Sequence, residues 1–314
     1  MDFITPFNVV ISSAGILFNL VNITVFLLQD WRTNNVTLAL LSLSISDLLV
    51  VAACLTFDLL SIMQTLLPTS LVDYAAVQYY IVAWSVAMFS DLSSLTTVLV
   101  SLERCLCIII PLHVHSIFSV KRTAIFLIGM YIMIALSYAV LFSTLTLQWT
   151  HDLNFNSSKL IVALSEERTK IEMGHNISNA AILPSFCEMA VVFNTLVMVI
   201  GLKRSSNFQK KSSDHQRNTS TSSKYKKLAI VVCCISGIFI ACNTPVVMFI
   251  YCKYFISGFT YTGVHGQLYV VGAYILFILY AVNASVNFFV YVSLNQRYRD
   301  KLRELIGAGV SERA

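Results

Sequence analysis

Residues 38–63 read LALLSLSISDLLVVAACLTFDLLSIM, an apolar run interrupted by two aspartates, Asp47 and Asp58. A bilayer core about 30 Å thick requires roughly 20 predominantly apolar residues in a helix, and this run is long enough. Of the 314 residues in the chain, 57% are hydrophobic and only 12% are charged, whereas soluble domains carry about 25% charged residues. Residues 38–63 are therefore predicted to form a helix that crosses a membrane.

Six further apolar runs of similar length flank this one. The predicted spans are 7–28, 38–63, 76–103, 124–147, 180–202, 228–252 and 268–292. Helices are expected because a spanning backbone must satisfy its own hydrogen bonds, and the alternation typical of a transmembrane barrel is absent. The predicted fold is an all-α membrane protein, a seven-transmembrane helix bundle over residues 9–294 after a short N-terminus of residues 1–8.

The distribution of Lys and Arg predicts the orientation of the bundle. With residue 1 outside, eight of the 21 basic residues fall in the inner segment 203–227, five follow residue 296, and only four lie on the outer side. Basic residues concentrate on the cytoplasmic side of membrane proteins. The N-terminus is therefore predicted to be extracellular and the C-terminus cytoplasmic, at the plasma membrane. The sequons at Asn156 and Asn176 fall in the outer connection 148–179 and are predicted glycosylation sites.

Two inner segments differ in character. Segment 203–227 is rich in Lys, Ser and Thr and is predicted to be a mobile loop, either a site for a kinase and arrestin or a plain solvated linker. In the tail, 295–314, one helical face is apolar and basic residues surround it, which predicts a short amphipathic eighth helix on the inner membrane surface. The apolar face consists of Tyr298, Leu302, Leu305 and Ile306.

Polar residues recur at single positions inside the spans, where a charged side chain is costly and needs a reason. They are Asn19 in the first span, Asp47 in the second, Glu103 and Arg104 at the end of the third, Asn243 and Pro245 in the sixth, and Asn283, Asn287 and Tyr291 in the seventh.

In their order these residues resemble the motifs of rhodopsin-like (class A) G-protein-coupled receptors over nearly the whole chain. The matching segments are Asn19; Leu43–Leu49 for Leu-Ala-x-x-Asp, with Ser44 for Ala; Glu103–Cys105 for Asp-Arg-Tyr; Cys242–Pro245 for Cys-Trp-x-Pro; Asn287–Tyr291 for Asn-Pro-x-x-Tyr; and Tyr298 for the aromatic anchor of the eighth helix.

The resemblance implies a two-state signalling mechanism. Glu103 would hold Arg104 at rest, and on activation Arg104 would turn inward and meet a heterotrimeric G protein. Pro245 would be the pivot for outward motion of the sixth helix, and Tyr291, beside Asn287, would support the open state. An extracellular agonist would shift this equilibrium.

A polar network around Asp47 is also implied by the resemblance. Asp47, Ser93, Asn283 and Asn287 match positions that surround a sodium ion in relatives, and oxygen ligands suit such a hard cation. The alternative is a water-filled network without sodium. Asn243 would extend the same cluster.

Several family features are missing. Tyr79 stands where relatives carry the third-helix cysteine of the outer disulfide, and residues 148–179 contain no cysteine. No disulfide is therefore predicted among the eight cysteines, and the outer loop must be fixed in another way or be mobile. Asn243 replaces the tryptophan of the sixth-helix motif, and Phe288 replaces the seventh-helix proline.

The ligand class is bounded only in part. The seventh span has no Lys for a retinal Schiff base, and Val86 stands where amine receptors carry Asp. Asp58, Asp91 and Glu188 are candidate pocket residues for a cationic ligand, or they pair with hydroxyls inside the bundle. The runs Glu103–Cys107 and Ile117–Thr123 resemble invertebrate, particularly molluscan, chemosensory or orphan peptide-type receptors, which implies a small chemosensory molecule or a short peptide as ligand.

Other function classes would use the same residues differently. A transporter or ion channel would use Asp47, Asp58, Asp91 and Glu188 as an ion path. An enzyme is disfavoured, because all six histidines fall in predicted loops or at span edges and no nucleophile or metal cluster lies in the bundle. No cofactor beyond the sodium ion at Asp47 and Ser93 and no nucleic-acid partner is expected.

Overall fold

The structure is a computed structural model that describes residues 4–67, 71–110, 114–152, 157–211, 219–260 and 263–311. The helices are Ile4–Leu27, Asn35–Leu66, Tyr74–Val77, Ala83–Ile109, Val114–Ile117, Val120–Phe142, Arg168–His175, Leu183–Lys211, Thr219–Phe255, Gly266–Leu294 and Gln296–Ser311. Two π-helical turns, Gln78–Val82 and Asn176–Ile182, join consecutive helices into longer ones.

Seven of these helices are long and apolar enough to cross a membrane, as the sequence predicted, so the chain is a multi-pass membrane protein. The first to seventh spans are Thr5–Leu27, Asn35–Leu66, Tyr74–Ile109, Val120–Phe142, Arg168–Gly201, Ile230–Phe255 and Gly266–Leu294. The third span extends beyond the predicted end at residue 103. Glu103 and Arg104 therefore lie inside a helix and are buried.

The spans close into a bundle around the third. The third span contacts the second, fourth, fifth and sixth spans, and the first span packs between the second and the seventh. Gly15 allows this close approach, because a Cβ there would collide with Oγ of Ser285 on the seventh span. Near the C-terminal end of the seventh span, the buried rings of Phe26, Tyr291 and Tyr298 pack edge to face or tilted against one another.

The predicted end of the fourth span at residue 147 was wrong. The helix ends at Phe142, and a hairpin of strand β1 (Leu145–Asp152) and strand β2 (Ser157–Leu164) follows. The strands are antiparallel, with Leu145 opposite Leu164. The physical reason is the alternation of Leu145, Leu147 and Trp149 with polar residues, which has the period of two that a strand requires.

Hydrogen bonds, rather than a disulfide, attach this hairpin to the bundle. The amide of Leu160 donates to the carbonyl of Leu71 at 2.7 Å, and the amide of Asp73 donates to the carbonyl of Leu160 at 3.0 Å. All eight cysteines lie within the described residues and are free. Backbone pairing to the segment before the third span thus holds the loop.

Arg168 adds a second attachment below the hairpin. This buried guanidinium donates to the carbonyl of Leu141 at 3.0 Å and to Oγ1 of Thr144 at 2.9 Å, and it pairs with Glu172 at 3.0 Å. It also lies over the rings of Tyr80 and Trp84 on the third span, at 5.7 and 5.9 Å from their centroids. One side chain therefore ties the third, fourth and fifth spans together at the end that carries the hairpin.

The terminal helix, Gln296–Ser311, follows the seventh span after a single residue. Tyr298 is fully buried, and its hydroxyl donates to Asn22 at 2.7 Å. Leu302 packs against the same core, whereas Leu305 and Ile306 are exposed. The predicted amphipathic eighth helix is present, with part of its apolar face on the bundle and part free to face the membrane.

Candidate functional site

A buried ion pair lies near the C-terminal end of the third span. Nη2 of Arg104 lies 3.4 Å from Oε1 of Glu103, and both side chains are almost fully buried. Asn35, at the start of the second span, donates to the same Glu103 oxygen at 2.5 Å and to the carbonyl of Phe118 at 3.2 Å. Asn35 thus connects the Glu103–Arg104 pair to the second span and to the loop before the fourth. The sequence did not single out Asn35, because nothing local marks its distant partner.

Arg104 keeps unused hydrogen-bonding capacity in this arrangement. Its side chain is only 5% exposed, and its Nε has no hydrogen-bond partner among the described residues. A buried guanidinium with an unsatisfied donor is costly. The arrangement is therefore suited to a change of partner, since a new acceptor at the inner face would satisfy that donor.

A second polar cluster joins three spans around Asp47. Oγ of Ser93 donates to Oδ1 of Asp47 at 2.6 Å, and Nδ2 of Asn287 donates to Oδ2 at 2.8 Å. Asp47 is fully buried. These hydrogen bonds bring together the second, third and seventh spans.

Burial and hydrogen bonding differ among the other residues that the sequence assigned to this network and to the switch. Asn243 is buried, and its Nδ2 has no partner among the described residues. Asn283 is half-buried. Pro245 lies within the continuous helix Thr219–Phe255 and is exposed on its surface. Tyr291 is fully buried, and its hydroxyl has no hydrogen-bond partner in the described chain.

A relay of asparagines links the first span to the seventh and to the terminal helix. Nδ2 of Asn19 donates to the carbonyl of Ala284 at 2.8 Å. Nδ2 of Asn22 lies 3.4 Å from Oδ1 of Asn19, and Oδ1 of Asn22 accepts the Tyr298 hydroxyl. The sequence identified Asn19 and Tyr298 but missed Asn22, whose signal was its position one helical turn from Asn19.

The three candidate pocket acids pair with different helices. Asp58 accepts a hydrogen bond from Asn8 of the first span at 2.6 Å, and Asp91 accepts one from the Tyr138 hydroxyl of the fourth span at 2.8 Å. Glu188 of the fifth span accepts a hydrogen bond from Thr244 of the sixth. With Asp47 bound to the third and seventh spans, the four acids serve five different helix contacts and are not linked to one another by hydrogen bonds.

The remaining predicted sites lie partly outside the described residues. Asn156 lies outside them, as does the middle of segment 203–227, residues 212–218. The described ends of that segment are helical, up to Lys211 and from Thr219. Asn176 starts the π-helical turn Asn176–Ile182 and is half-buried.

Fold and site together define a seven-helix membrane protein with buried polar clusters between its spans. Residues 6–309 match the family model described as "Serpentine type 7TM GPCR chemoreceptor Srw". The chain therefore belongs to this family of chemoreceptors. No curated protein matches the chain. The receptor character and the chemosensory role predicted from the sequence are confirmed at this level, and the partners of such a family are in general an extracellular ligand and a G protein.

Proposed function

We propose that the protein is a plasma-membrane receptor of rhodopsin-like mechanism, with its N-terminus extracellular, that activates a heterotrimeric G protein when an extracellular ligand binds. The observation that carries this proposal is the buried Glu103–Arg104 pair, which Asn35 clamps to the second span. A buried charge held by its sequence neighbour, which an amide on another span binds in turn, can act as a two-state element, because outward motion of the sixth span would open space for Arg104 at the inner face.

The proposal assigns distinct roles to the other site residues. Pro245 is the pivot of the sixth span, and Tyr291 and Asn287 stabilise the open state. Asp91 and Asp58 are candidate ligand-pocket residues, with Glu188 as a third. Kinase and arrestin recognition is assigned to segment 203–227. The ligand is a small chemosensory molecule or a short peptide, as for the invertebrate, molluscan receptors that the sequence resembles.

The proposal includes a sodium ion, and two side chains would supply its oxygen ligands. The carboxylate of Asp47 and the hydroxyl of Ser93 would hold the ion, which would supply a positive charge against the buried carboxylate. Asn287 already donates to Asp47 through its nitrogen, and Asn243 adds a further buried nitrogen donor. A water molecule would satisfy these donors and a cation would not, so water is the alternative occupant.

The test is a ligand screen in cells that carry a promiscuous G protein with a calcium readout, followed by nucleotide exchange in their membranes. We expect Arg104→Ala to reduce agonist-dependent exchange at least tenfold, equivalent to about 1.4 kcal/mol, with surface expression unchanged. Lys121→Ala is the matched control, because this basic residue is exposed at the inner end of the fourth span. Normal signalling by Arg104→Ala would overturn the mechanism.

Asn35→Ala is a second variant for the same experiment, and it is expected to increase nucleotide exchange rather than reduce it. Removal of a hydrogen bond to a charged group costs about 1.5–3 kcal/mol, and this bond is specific to the resting arrangement. We therefore expect ligand-independent exchange to rise by roughly tenfold. Exchange in the absence of ligand that stays at the wild-type level would remove Asn35 from the switch.

A transporter or channel remains the alternative, and it predicts current or uptake without any G protein. The pairing of the four acids with separate helices provides no chain of hydrogen-bonded acids along which an ion would pass.

A further inference from the structure

A groove of about 580 Å³ runs along the surface of the bundle between the fifth and sixth spans. Its walls are mostly apolar and include Met189, Phe193, Leu196 and Val247. Met189 is 72% exposed and Phe193 is 66% exposed. On a helix that crosses a membrane, side chains as apolar and exposed as these contact lipid, so the groove opens to the hydrocarbon phase.

The floor of the groove is polar. Glu188 lies in it and accepts a hydrogen bond from the Thr244 hydroxyl of the sixth span. Ser185 and Tyr251, which also line the groove, are 3.1 Å apart across the same two spans. Two hydrogen-bonded pairs, Glu188–Thr244 and Ser185–Tyr251, therefore join the fifth and sixth spans at a surface whose other side chains are apolar.

Glu188 lacks a charged partner. Within the described chain its one hydrogen-bond partner is Thr244, which binds Oε1, and no Lys, Arg or His forms an ion pair with it. Its other oxygen, Oε2, makes no hydrogen bond there and is not fully buried, so it is accessible from the groove. An acidic group facing hydrocarbon is costly without a counter-ion.

The apolar wall extends from Glu188 in one direction. Val192, Phe193 and Leu196 follow it along the fifth span, and eight residues of helix cover about 12 Å. A molecule that satisfies both features has a cationic head at Glu188 and an alkyl chain of that length against Phe193 and Leu196. A fatty acid would be repelled by the carboxylate, and a fatty alcohol would lack the charge.

We propose that this groove is a binding site for a long-chain primary amine that enters from the lipid phase, with its ammonium group on Glu188 and Thr244. Because the head would lie on the Glu188–Thr244 pair, the bound amine would act directly on the contact between the fifth and sixth spans. The site uses Glu188, one of the three candidate pocket acids, but it opens to the lipid phase.

The test is photo-crosslinking of the full-length receptor in phosphatidylcholine nanodiscs with dodecylamine that carries a diazirine at its chain end, followed by peptide mapping. We expect adducts on the fifth and sixth spans beside the groove. Unlabelled dodecylamine should compete at least tenfold better than dodecanol. Glu188→Gln should reduce labelling at least tenfold, although its amide oxygen still accepts the Thr244 bond and preserves the helix contact.

Phe193→Ala and Phe126→Ala form a matched pair for the chain-binding wall. Both phenylalanines are exposed on lipid-facing helices, and only Phe193 lines the groove. We expect Phe193→Ala to weaken labelling and Phe126→Ala to leave it unchanged. Equal competition by dodecanol, undiminished labelling of Glu188→Gln, or adducts spread evenly over the fourth span would overturn the proposal. Because no G protein is present, this failure would leave the Arg104 experiment unaffected.

Discussion

At Asp47, both carboxylate oxygens accept hydrogen bonds, from Ser93 and from Asn287. Asp58, Asp91 and Glu188 each accept a hydrogen bond through one oxygen, from a donor on another span. Lipid offers no water to satisfy such groups, so a buried acid is retained only where the fold brings a donor to it. Each acid is thus evidence of a particular helix contact before it is evidence of a ligand.

Asp47 leads to a test of sodium binding that needs no agonist. We expect sodium chloride, compared with choline chloride at equal ionic strength, to raise the Tm of the purified receptor. An ion that binds only the folded state stabilises it by about 1.4 kcal/mol at ten times its Kd. Asp47→Asn should abolish this difference, measured by thermal unfolding, because the neutral amide removes the charge that holds the ion.

Asp58→Asn is the control for that experiment, since it removes a buried carboxylate that Asn8 binds elsewhere in the bundle. It should keep the sodium response. A response that persists in Asp47→Asn would place the ion at another site, and no response in the unsubstituted receptor would leave water as the occupant of the network.

Among the elements, the outer hairpin and the start of the fifth span depend most on a single side chain. Arg168 contacts the end of the fourth span through Leu141 and Thr144, and it lies over Tyr80 and Trp84 of the third. Hydrogen bonds from a charged group and cation–π contacts each contribute stability when they are shielded from water.

We expect Arg168→Ala to destabilise the receptor by about 2 kcal/mol, which corresponds to a fall in Tm of roughly 5 °C. Arg168→Lys should recover only part of this loss, because an ammonium group cannot reproduce the planar fork of a guanidinium. Thermal unfolding of the purified receptor measures both. Lys170→Ala is the control, since Lys170 is exposed two residues away; an equal fall in Tm there would contradict the assignment.

The seven spans were predictable because length and hydropathy are local properties of the sequence, and lipid enforces helix on any such run. The hairpin was missed at its start because Leu145 and Leu147 continue the apolar composition of the fourth span, and only their alternation marks a strand. Asn8 and Asn35 were missed for another reason. Their partners Asp58 and Glu103 are 50 and 68 residues away, and the sequence does not show which helix faces which.

At the scale of the whole molecule, the bundle is held unevenly. Buried hydrogen bonds join the first span to the second and seventh through Asn8 and Asn19, and the terminal helix is anchored to the first span by Tyr298. The fifth and sixth spans are joined at the lipid surface through Glu188–Thr244 and Ser185–Tyr251. Lipid-soluble molecules can therefore compete most directly with the contacts of the sixth span.

The orientation of this bundle is a prediction with a direct measurement. An N-terminal epitope should be accessible to antibody on intact cells, and a C-terminal epitope only after permeabilisation, because basic residues concentrate on the inner side. Asn156→Gln and Asn176→Gln should each increase electrophoretic mobility by the loss of a glycan. Asn218→Gln, at a sequon in the inner segment, should change nothing. A mobility change in Asn218→Gln alone would show that the topology is the reverse of the predicted one.

The non-covalent attachment of the outer loop has a chemical consequence. With all eight cysteines free, the hairpin is held by backbone pairing at Leu160 and by the guanidinium of Arg168. A thiol reductant such as dithiothreitol has no bond to cleave here, so the face that carries the hairpin should keep its shape in a reducing medium. What would loosen it instead is a denaturant that competes for these contacts, above all guanidinium ions, which carry the same planar group as the side chain that they would displace.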